Sequence, residues 1–494
     1  MSSPLEGARD FKAVAQGYST RCGPSASSLR VCNSRVDMRA PFRQGGVMSL
    51  KLRFVLVASA LLLAAVSSSA VALPEAPSSA FQPSTSCGCH AALLEQWRPS
   101  MHAQAISDPL YLAKLEDANK ATNGELGAFC DSCHSPIATM SGEQKTGNLS
   151  AVAKESVGCD MCHQVTGTEG ATPGNVSIAF EPDGTKRAQF DDAVSPIHST
   201  AYSAFHRSAE FCGNCHNVNH PVNGMHLETT YTEWKNGPYA TEGIVCQDCH
   251  MTPGPGVTKP NPGKAAAMGP TRDHIYTMTF VGGNVALGDA DLAEERLKAA
   301  ATLDLEVEDT IAAGEKAELN TIITNVGAGH YIPTGLTEVR QMWLEVTAVN
   351  TAGEELMKER RDFGTVLEDK DGNYPAELWD ATSIHSDDRI PPRESVSNDY
   401  SFTMSQGPIT VTAALYYRSV PEELASKAGV DVPTTTMVSV TKTVYSSAEE
   451  KADAQDASET VQQTGMPLWA WGALVAALGA GVVAVVLYSK RHRG

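Results

Sequence analysis

Four copies of one pattern, Cys-x-x-Cys-His, lie between residues 130 and 250: Cys130/Cys133/His134, Cys159/Cys162/His163, Cys212/Cys215/His216 and Cys246/Cys249/His250. Two thiols separated by two residues reach the two vinyl groups of one porphyrin, and the imidazole that follows then falls beneath the iron as an axial ligand, so the pattern is that of c-type haem attachment. Zinc sites also use Cys-x-x-Cys, but they have no need of a His directly after the second Cys. With 14 His in 494 residues, chance puts His at a given position about once in 35, and at four such positions roughly once in a million. A disulfide framework has no cysteines to draw on, because every Cys from Cys87 to Cys249 belongs to such a pattern, and Cys22 and Cys32 lie in a segment expected to be removed.

An irregular copy comes first. In Ser86-Cys87-Gly88-Cys89-His90 the second Cys and the His are in place, but the first Cys stands one position late. Either the site accepts Cys-x-Cys-His, or Cys89 alone makes one thioether with Ser86 in the usual first-Cys position. The expected cofactor is haem c, five in number, with His90, His134, His163, His216 and His250 as proximal ligands. These five are 44, 29, 53 and 34 residues apart, so the motifs follow no fixed repeat.

What the motif does not contain is the second axial ligand. An iron with a second His is low in potential and closed to substrate, whereas an open sixth position permits chemistry. His206 and His198 precede Cys212, and His220 and His226 follow His216; two of these four are expected to ligate, with His206 and His226 taken as that pair. His330, in Gly329-His330-Tyr331-Ile332-Pro333-Thr334-Gly335, is a further candidate, its alternative being a turn residue fixed by the flanking glycines. His385 reads as a surface residue. Met101, Met161, Met225 and Met251 read as filler, the commoner use of methionine.

These residues need elements to carry them. From residue 73 to about 288 the chain is rich in Cys, His, Gly, Pro and Asn and poor in sustained apolar periods, so short helices and loops packed on porphyrin are expected to make the core. Ala91–Trp97 and Pro109–Asn119 are the best helix candidates. A connecting helix over 289–301, with Asp289 as N-cap, leads into 302–445. There Leu303–Glu308, Ala317–Val326, Met342–Val349, Ile409–Tyr417 and Met437–Tyr445 alternate or are β-branched between Gly, Asp, Asn and Pro clusters, the pattern of a β-sandwich. The expected fold class is therefore multidomain: a mainly α and irregular multihaem cytochrome domain with a haem-built core, an all-β immunoglobulin-like sandwich, and one C-terminal transmembrane helix.

The ends carry targeting patterns. Residues 48–72 (MSLKLRFVLVASALLLAAVSSSAVA) have the basic start, apolar stretch and Ala-x-Ala end of a signal peptide, so residues 1–47 read as a mis-assigned extension and the mature chain begins near Leu73. Residues 446–466 are polar and read as a flexible acidic stalk with a reach of about 25 Å. Within 467–489, Leu468–Tyr488 runs 21 residues without a charge, long enough to cross about 30 Å of hydrocarbon. The basic tail at 490–494 would then be cytoplasmic, with the haem domain on the extracytoplasmic face of the cell membrane. The chain carries a net charge of −19; residues 1–47 contribute +4, residues 48–72 +2 and the tail +3, which leaves −28 on residues 73–489. Such acidity excludes nucleic acid and matches a basic docking surface.

Several flanking runs resemble a known family. Cys89-His90 followed by Glu95-Gln96-Trp97-Arg98-Pro99-Ser100-Met101-His102, then Phe211-Cys212-Gly213-Asn214-Cys215-His216, Thr230-Tyr231-Thr232-Glu233-Trp234-Lys235 and Gly243 to Met251 resemble the cytochrome c-554 type of multihaem cytochrome, which is related to the octahaem hydroxylamine oxidoreductase lineage. The resemblance covers roughly residues 85 to 285. Asn325 to Gly335 is similar to part of a C-terminal domain found attached to such cytochromes. Departures are the irregular first site, a haem beyond the tetrahaem pattern, and the anchor. The resemblance implies electron transfer through closely stacked, mostly bis-His haems, with His102 and His274 as distal ligands. It implies a relay between a membrane quinol dehydrogenase or other donor and an exported reductase or cytochrome as acceptor. The alternative is an oxidoreductase acting on nitrite, hydroxylamine or a related nitrogen compound at a five-coordinate haem. No Cys-x-x-Cys-Lys occurs, which removes the lysine-ligated haem of the usual pentahaem nitrite reductases.

Overall fold

The side-chain pattern changes character near residue 289, and the backbone changes with it. A computed structural model describes residues 73–464. Up to Gly288 the chain forms short helices and 3-10 turns joined by long irregular stretches, with three two-stranded pairings, Val165–Thr168 with Ile178–Phe180, Lys186–Ala188 with Thr200–Tyr202, and Val218–Asn219 with His226–Glu228. Local chemistry explains where the helices start. Asp108 accepts a hydrogen bond from Leu110 N at 2.8 Å ahead of Pro109–Ala121, where the proline occupies the first turn and needs no amide partner. Trp97 closes Ala91–Trp97 by burying its ring and donating Nε1–H to Val157 O at 3.0 Å.

The helical half also holds a modest core of its own. Phe81, Ile137, Met140, Met161, Val165 and Ile178 are buried together, so porphyrin is not the only apolar surface available to that half.

Ala290–Ala300 is the connecting helix, and Asp289 caps it by accepting from Leu292 N at 3.2 Å. Replacing Asp289 with Ala is expected to cost about 1 kcal/mol, the usual worth of an N-cap, read as a lowered denaturation midpoint.

Two antiparallel sheets follow. One runs, edge to edge, Glu355–Phe363, Gln341–Asn350, Ile409–Arg418, Thr435–Val444; the other runs Ser395–Thr403, Lys316–Asn325, Ala301–Val307. Burial alternates with the two-residue period of a strand, so Met342, Leu344, Val346, Val411 and Leu415 of the first sheet share one core with Leu303, Leu305, Leu319 and Ile323 of the second. A hairpin of Thr365–Asp369 with Ala381–Asp387 lies outside both sheets. Five strands coincide with the segments expected from pattern. The others are Glu355–Phe363 and Ser395–Thr403, whose charged and polar side chains interrupt the alternation, and the two strands of the separate hairpin.

Two expectations are corrected. The segment read as a flexible stalk is helical over Ala448–Thr464. Its Ala, Glu, Lys and Gln are good helix formers, Ser447 Oγ accepts from Glu450 N at 3.2 Å, and Lys451 pairs with Asp309 at 2.7 Å, tying the helix to the sheets.

The second correction concerns the membrane. The signal segment, the span at 467–489 and the tail at 490–494 lie outside the described residues, and among the described residues no helix is long and apolar enough to cross a membrane. The fold class is accordingly a mixed α/β multidomain fold, with an N-terminal helical region and a C-terminal β-sheet region. The anchor is withdrawn, and with it the single-pass topology, the cell-membrane location, and the membrane donor and exported acceptor that depended on them.

Candidate functional site

One helical turn arranges each regular motif. On an α-helix, residues i, i+3 and i+4 share a face, so both thiols and the imidazole of a Cys-x-x-Cys-His point the same way. Gly127–His134, Cys159–His163 and Cys246–His250 carry three of the motifs, and Ala209–Gly213 opens the fourth. Three of the motifs contain an aspartate that is held from outside. Asp160 accepts from Gln82 N at 2.7 Å and pairs with Lys186; Asp248 accepts from Tyr276 Oη at 2.9 Å and pairs with Lys259; Asp131 accepts from Tyr111 Oη at 2.7 Å. The irregular copy sits on a 3-10 turn, Gly88–His90. Three residues per turn bring Cys87 and His90 to one edge.

All ten cysteines and five histidines of the motifs line a single cavity of 1960 Å³. That is about twice the upper end of the 300–1,000 Å³ usual for one small-molecule site. The motifs do not follow one another in chain order around it. The Cys87 thiol lies beside that of Cys159, Cys133 beside Cys215, and Cys212 beside Cys246. The first motif therefore abuts the third, the second the fourth, and the fourth the fifth.

Four imidazole pairs face one another across this cavity. Ring centroids are 6.4 Å apart for His90 and His198, 6.3 Å for His102 and His216, 5.9 Å for His163 and His206, and 6.1 Å for His250 and His330. Two metal–nitrogen bonds of about 2.0–2.1 Å plus two ring radii of about 1.1–1.2 Å sum to about 6.2–6.6 Å, so two pairs leave the width that one metal ion needs and the other two come within a few tenths of an ångström of it. The outer ring nitrogens agree. Nδ1 of His90 bonds Ala265 O at 2.7 Å, that of His134 Ala105 O at 2.8 Å, that of His163 Arg187 O at 2.7 Å, and that of His216 Glu228 Oε1 at 3.1 Å. Such bonds fix the tautomer and leave Nε2 free to accept a metal. His198 and His330 likewise engage Nδ1, with Ser199 O and Tyr331 O. His206 is reversed, its Nε2 bonding Cys162 O while its buried Nδ1 has no partner.

Burial favours the neutral ring, the form a ligand needs, at His102, His134, His163, His206 and His250. It pushes His102 and His250 down to about 3 and His206 to about 4. His216 differs: burial alone would lower it, but the hydrogen bond and charge of Glu228 outweigh burial and lift it to about 9. A carboxylate behind a ligating His also raises its donor strength and favours ferric iron. Where His216 ligates a haem iron, Glu228→Gln is expected to raise that haem's midpoint potential, by about 59 mV for each tenfold loss of that preference, measured by spectroelectrochemical titration.

The remaining candidates are placed elsewhere. His274 accepts from Asn261 N through Nδ1 and meets Tyr276 edge-on; it does not line the cavity. His226 is exposed, with Nδ1 on Asn219 Oδ1 at 2.5 Å. His220 lines the cavity but bonds Trp379 O at 3.3 Å, and His385 pairs with Glu368 at 2.9 Å. His134 has no imidazole opposite it among the described residues. Tyr111 stacks on it instead, with centroids 3.6 Å apart.

Pattern reasoning passed over Tyr111, Glu228 and Arg296, and set His198 aside. Nothing local marks His198, which lies in an irregular stretch of the chain. Arg296 gives its Nη2 hydrogens to His250 O at 3.3 Å and Thr252 O at 3.1 Å, while its buried Nε and Nη1 have no partner. A buried cation with free donors on the cavity wall fits a group that bears carboxylates, as haem does. Among the described residues no three His, Cys, Asp or Glu side chains gather around one point as an ion cluster would require.

The chain thus carries a multihaem c-type cytochrome-like domain and a β-sheet region. The family model for cytochrome c554 and c-prime matches residues 86–164. Among solved structures the chain is similar to a penta-haem cytochrome c552 from Thermochromatium tepidum, at 22% identity and a TM-score of 0.57, over 75% of this chain and 100% of that one. It is also similar to the CARDB domain of a Pyrococcus furiosus protein, at 14% identity and a TM-score of 0.17, over 29% of this chain and 85% of that one. No curated protein matches.

Proposed function

We propose that the protein is an electron-transfer cytochrome holding five haems c in one connected cavity. The pairs His90/His198, His102/His216, His163/His206 and His250/His330 each hold one iron, and His134 holds the fifth without a second imidazole. The observation that carries this reading is the 5.9–6.4 Å spacing of the four pairs. Haem iron, when bound, cycles between ferrous and ferric states and so passes single electrons. The protein's part is to bind and align: cysteines fix each porphyrin, Nδ1 hydrogen bonds orient each imidazole, and buried apolar walls exclude water. Thiol contacts between motifs support a path in which neighbouring sites are the first and third, the second and fourth, and the fourth and fifth. Likeness to a penta-haem cytochrome supports the count of five.

Cys87 is part of that count. Cys212 and Cys246, which touch, are both first cysteines of their motifs, and Cys133 and Cys215 are both second cysteines. Cys87 touches Cys159, a first cysteine, and so takes the first-cysteine role in its own site. A haemochrome assay on the full chain is expected to give five haems, with neither Cys87 nor Cys89 open to alkylation. Four haems with both thiols free would remove the first site.

A further inference from the structure

We propose that Glu233 is a positioning residue that clasps the β-sheet half to the helical half and thereby holds His330 opposite His250. The inference rests on the reading of His330 as an axial ligand and goes beyond it by naming what keeps that ligand in place. His330 belongs to a loop of the β-sheet half, whereas His250 and Glu233 belong to the helical half. The Glu233 side chain, in Thr230–Asn236, is 4% exposed. It accepts from Tyr331 N at 3.1 Å, from Thr334 Oγ1 at 2.8 Å and from Thr229 Oγ1 at 2.6 Å, and it pairs with Arg389. Arg389 is itself held by both oxygens of Asp387 at 2.8 Å, and its guanidinium lies over the Tyr331 ring. One carboxylate therefore grips the residue after His330 and another three residues further on.

The loop is already shaped from its own side. Asn325 Nδ2 donates to His330 O at 2.9 Å, and a Cβ on Gly327 would lie 2.1 Å from Ala299 O, so the chain there passes tight against the end of the connecting helix. What that side does not supply is register against the helical half. A buried ion pair is weak evidence for stability, since an apolar pair of equal volume would serve as well; what it supplies is one geometry and no other. Here the geometry is that of a His that must meet an iron held by the other half.

The test uses the full haem-loaded chain and counts high-spin irons in the oxidised protein by electron paramagnetic resonance. His330→Ala is expected to raise the number of high-spin irons per chain by one. Glu233→Ala and the milder Glu233→Gln and Thr334→Val are expected to convert a fraction of that same haem at unchanged haem content, with added imidazole restoring the low-spin signal. If His330→Ala converts one haem while all three clasp variants keep the parent spectrum, the clasp is refuted and the ligand reading stands. An unchanged spectrum in His330→Ala overturns the ligand reading and the clasp together.

Discussion

Produced without haem attachment, the chain is expected to lose residues 73–288 to limited proteolysis and to keep a resistant fragment of about residues 289–464. The β-sheet half closes its own core between two sheets, with Leu344, Val346, Val411, Leu415 and Ile323 all sealed from solvent. The helical half instead lines most of a cavity of 1960 Å³, to which the β-sheet half adds residues such as His330, Ile332 and Met342. Without porphyrin that space fills with water, and the apolar side chains that line it gain no burial. The cluster around Ile137 and Met161 is then the main apolar core left to residues 73–288. Equal resistance of both halves in the haem-free chain would contradict the view that haem makes the helical half's core.

The second large effect is a pH dependence set away from the haem ligands. Glu338 is half-buried, and its Oε1 is sealed off with no hydrogen-bond partner. Burial pushes its carboxyl up to about 7, and the nearby Lys114 and Arg340 offset this only in part. The folded chain therefore holds this proton to a higher pH than the unfolded chain, whose glutamates titrate near pH 4.3. Between those values the unfolded state releases protons that the folded state keeps, so stability is full at acid pH and falls as pH rises towards 7. Glu338→Gln is expected to flatten that slope and to gain on the order of 2–3 kcal/mol at pH 8 relative to its effect at pH 4. Denaturant titrations at the two pH values measure it; an equal effect at both would contradict the assignment.

How much was legible in the sequence depended on whether the information was local. Cys-x-x-Cys-His is a local constraint, since one helical turn aligns both thiols with the imidazole, and all five copies line the cavity. Strands such as Gln341–Asn350 and Ile409–Arg418 were legible because both faces of the pattern were clean. Glu355–Phe363 was not, because the charged run Lys358 to Asp362 hides its alternation.

Distal histidines are the opposite case. His198 meets His90 from more than a hundred residues away in an irregular segment, and His226, nearer to a motif in sequence, turns outward. His330 was marked by its glycines, yet the residue that fixes it, Glu233, could not be linked to it before the two halves were seen together. The helical stalk was misread because its polarity argued for disorder while its Ala, Glu and Gln argued for helix, and a Ser447 cap with a Lys451–Asp309 tie decided the matter.

The pairing of imidazoles is the centre of the account. Near-infrared magnetic circular dichroism of the oxidised, haem-loaded chain measures it directly, because bis-imidazole iron has its own charge-transfer band whose intensity counts such haems. Four bis-imidazole haems per chain, and a fifth that lacks the second imidazole, are predicted. Fewer than four, or intensity that assigns methionine to any of the four paired sites, would contradict the arrangement.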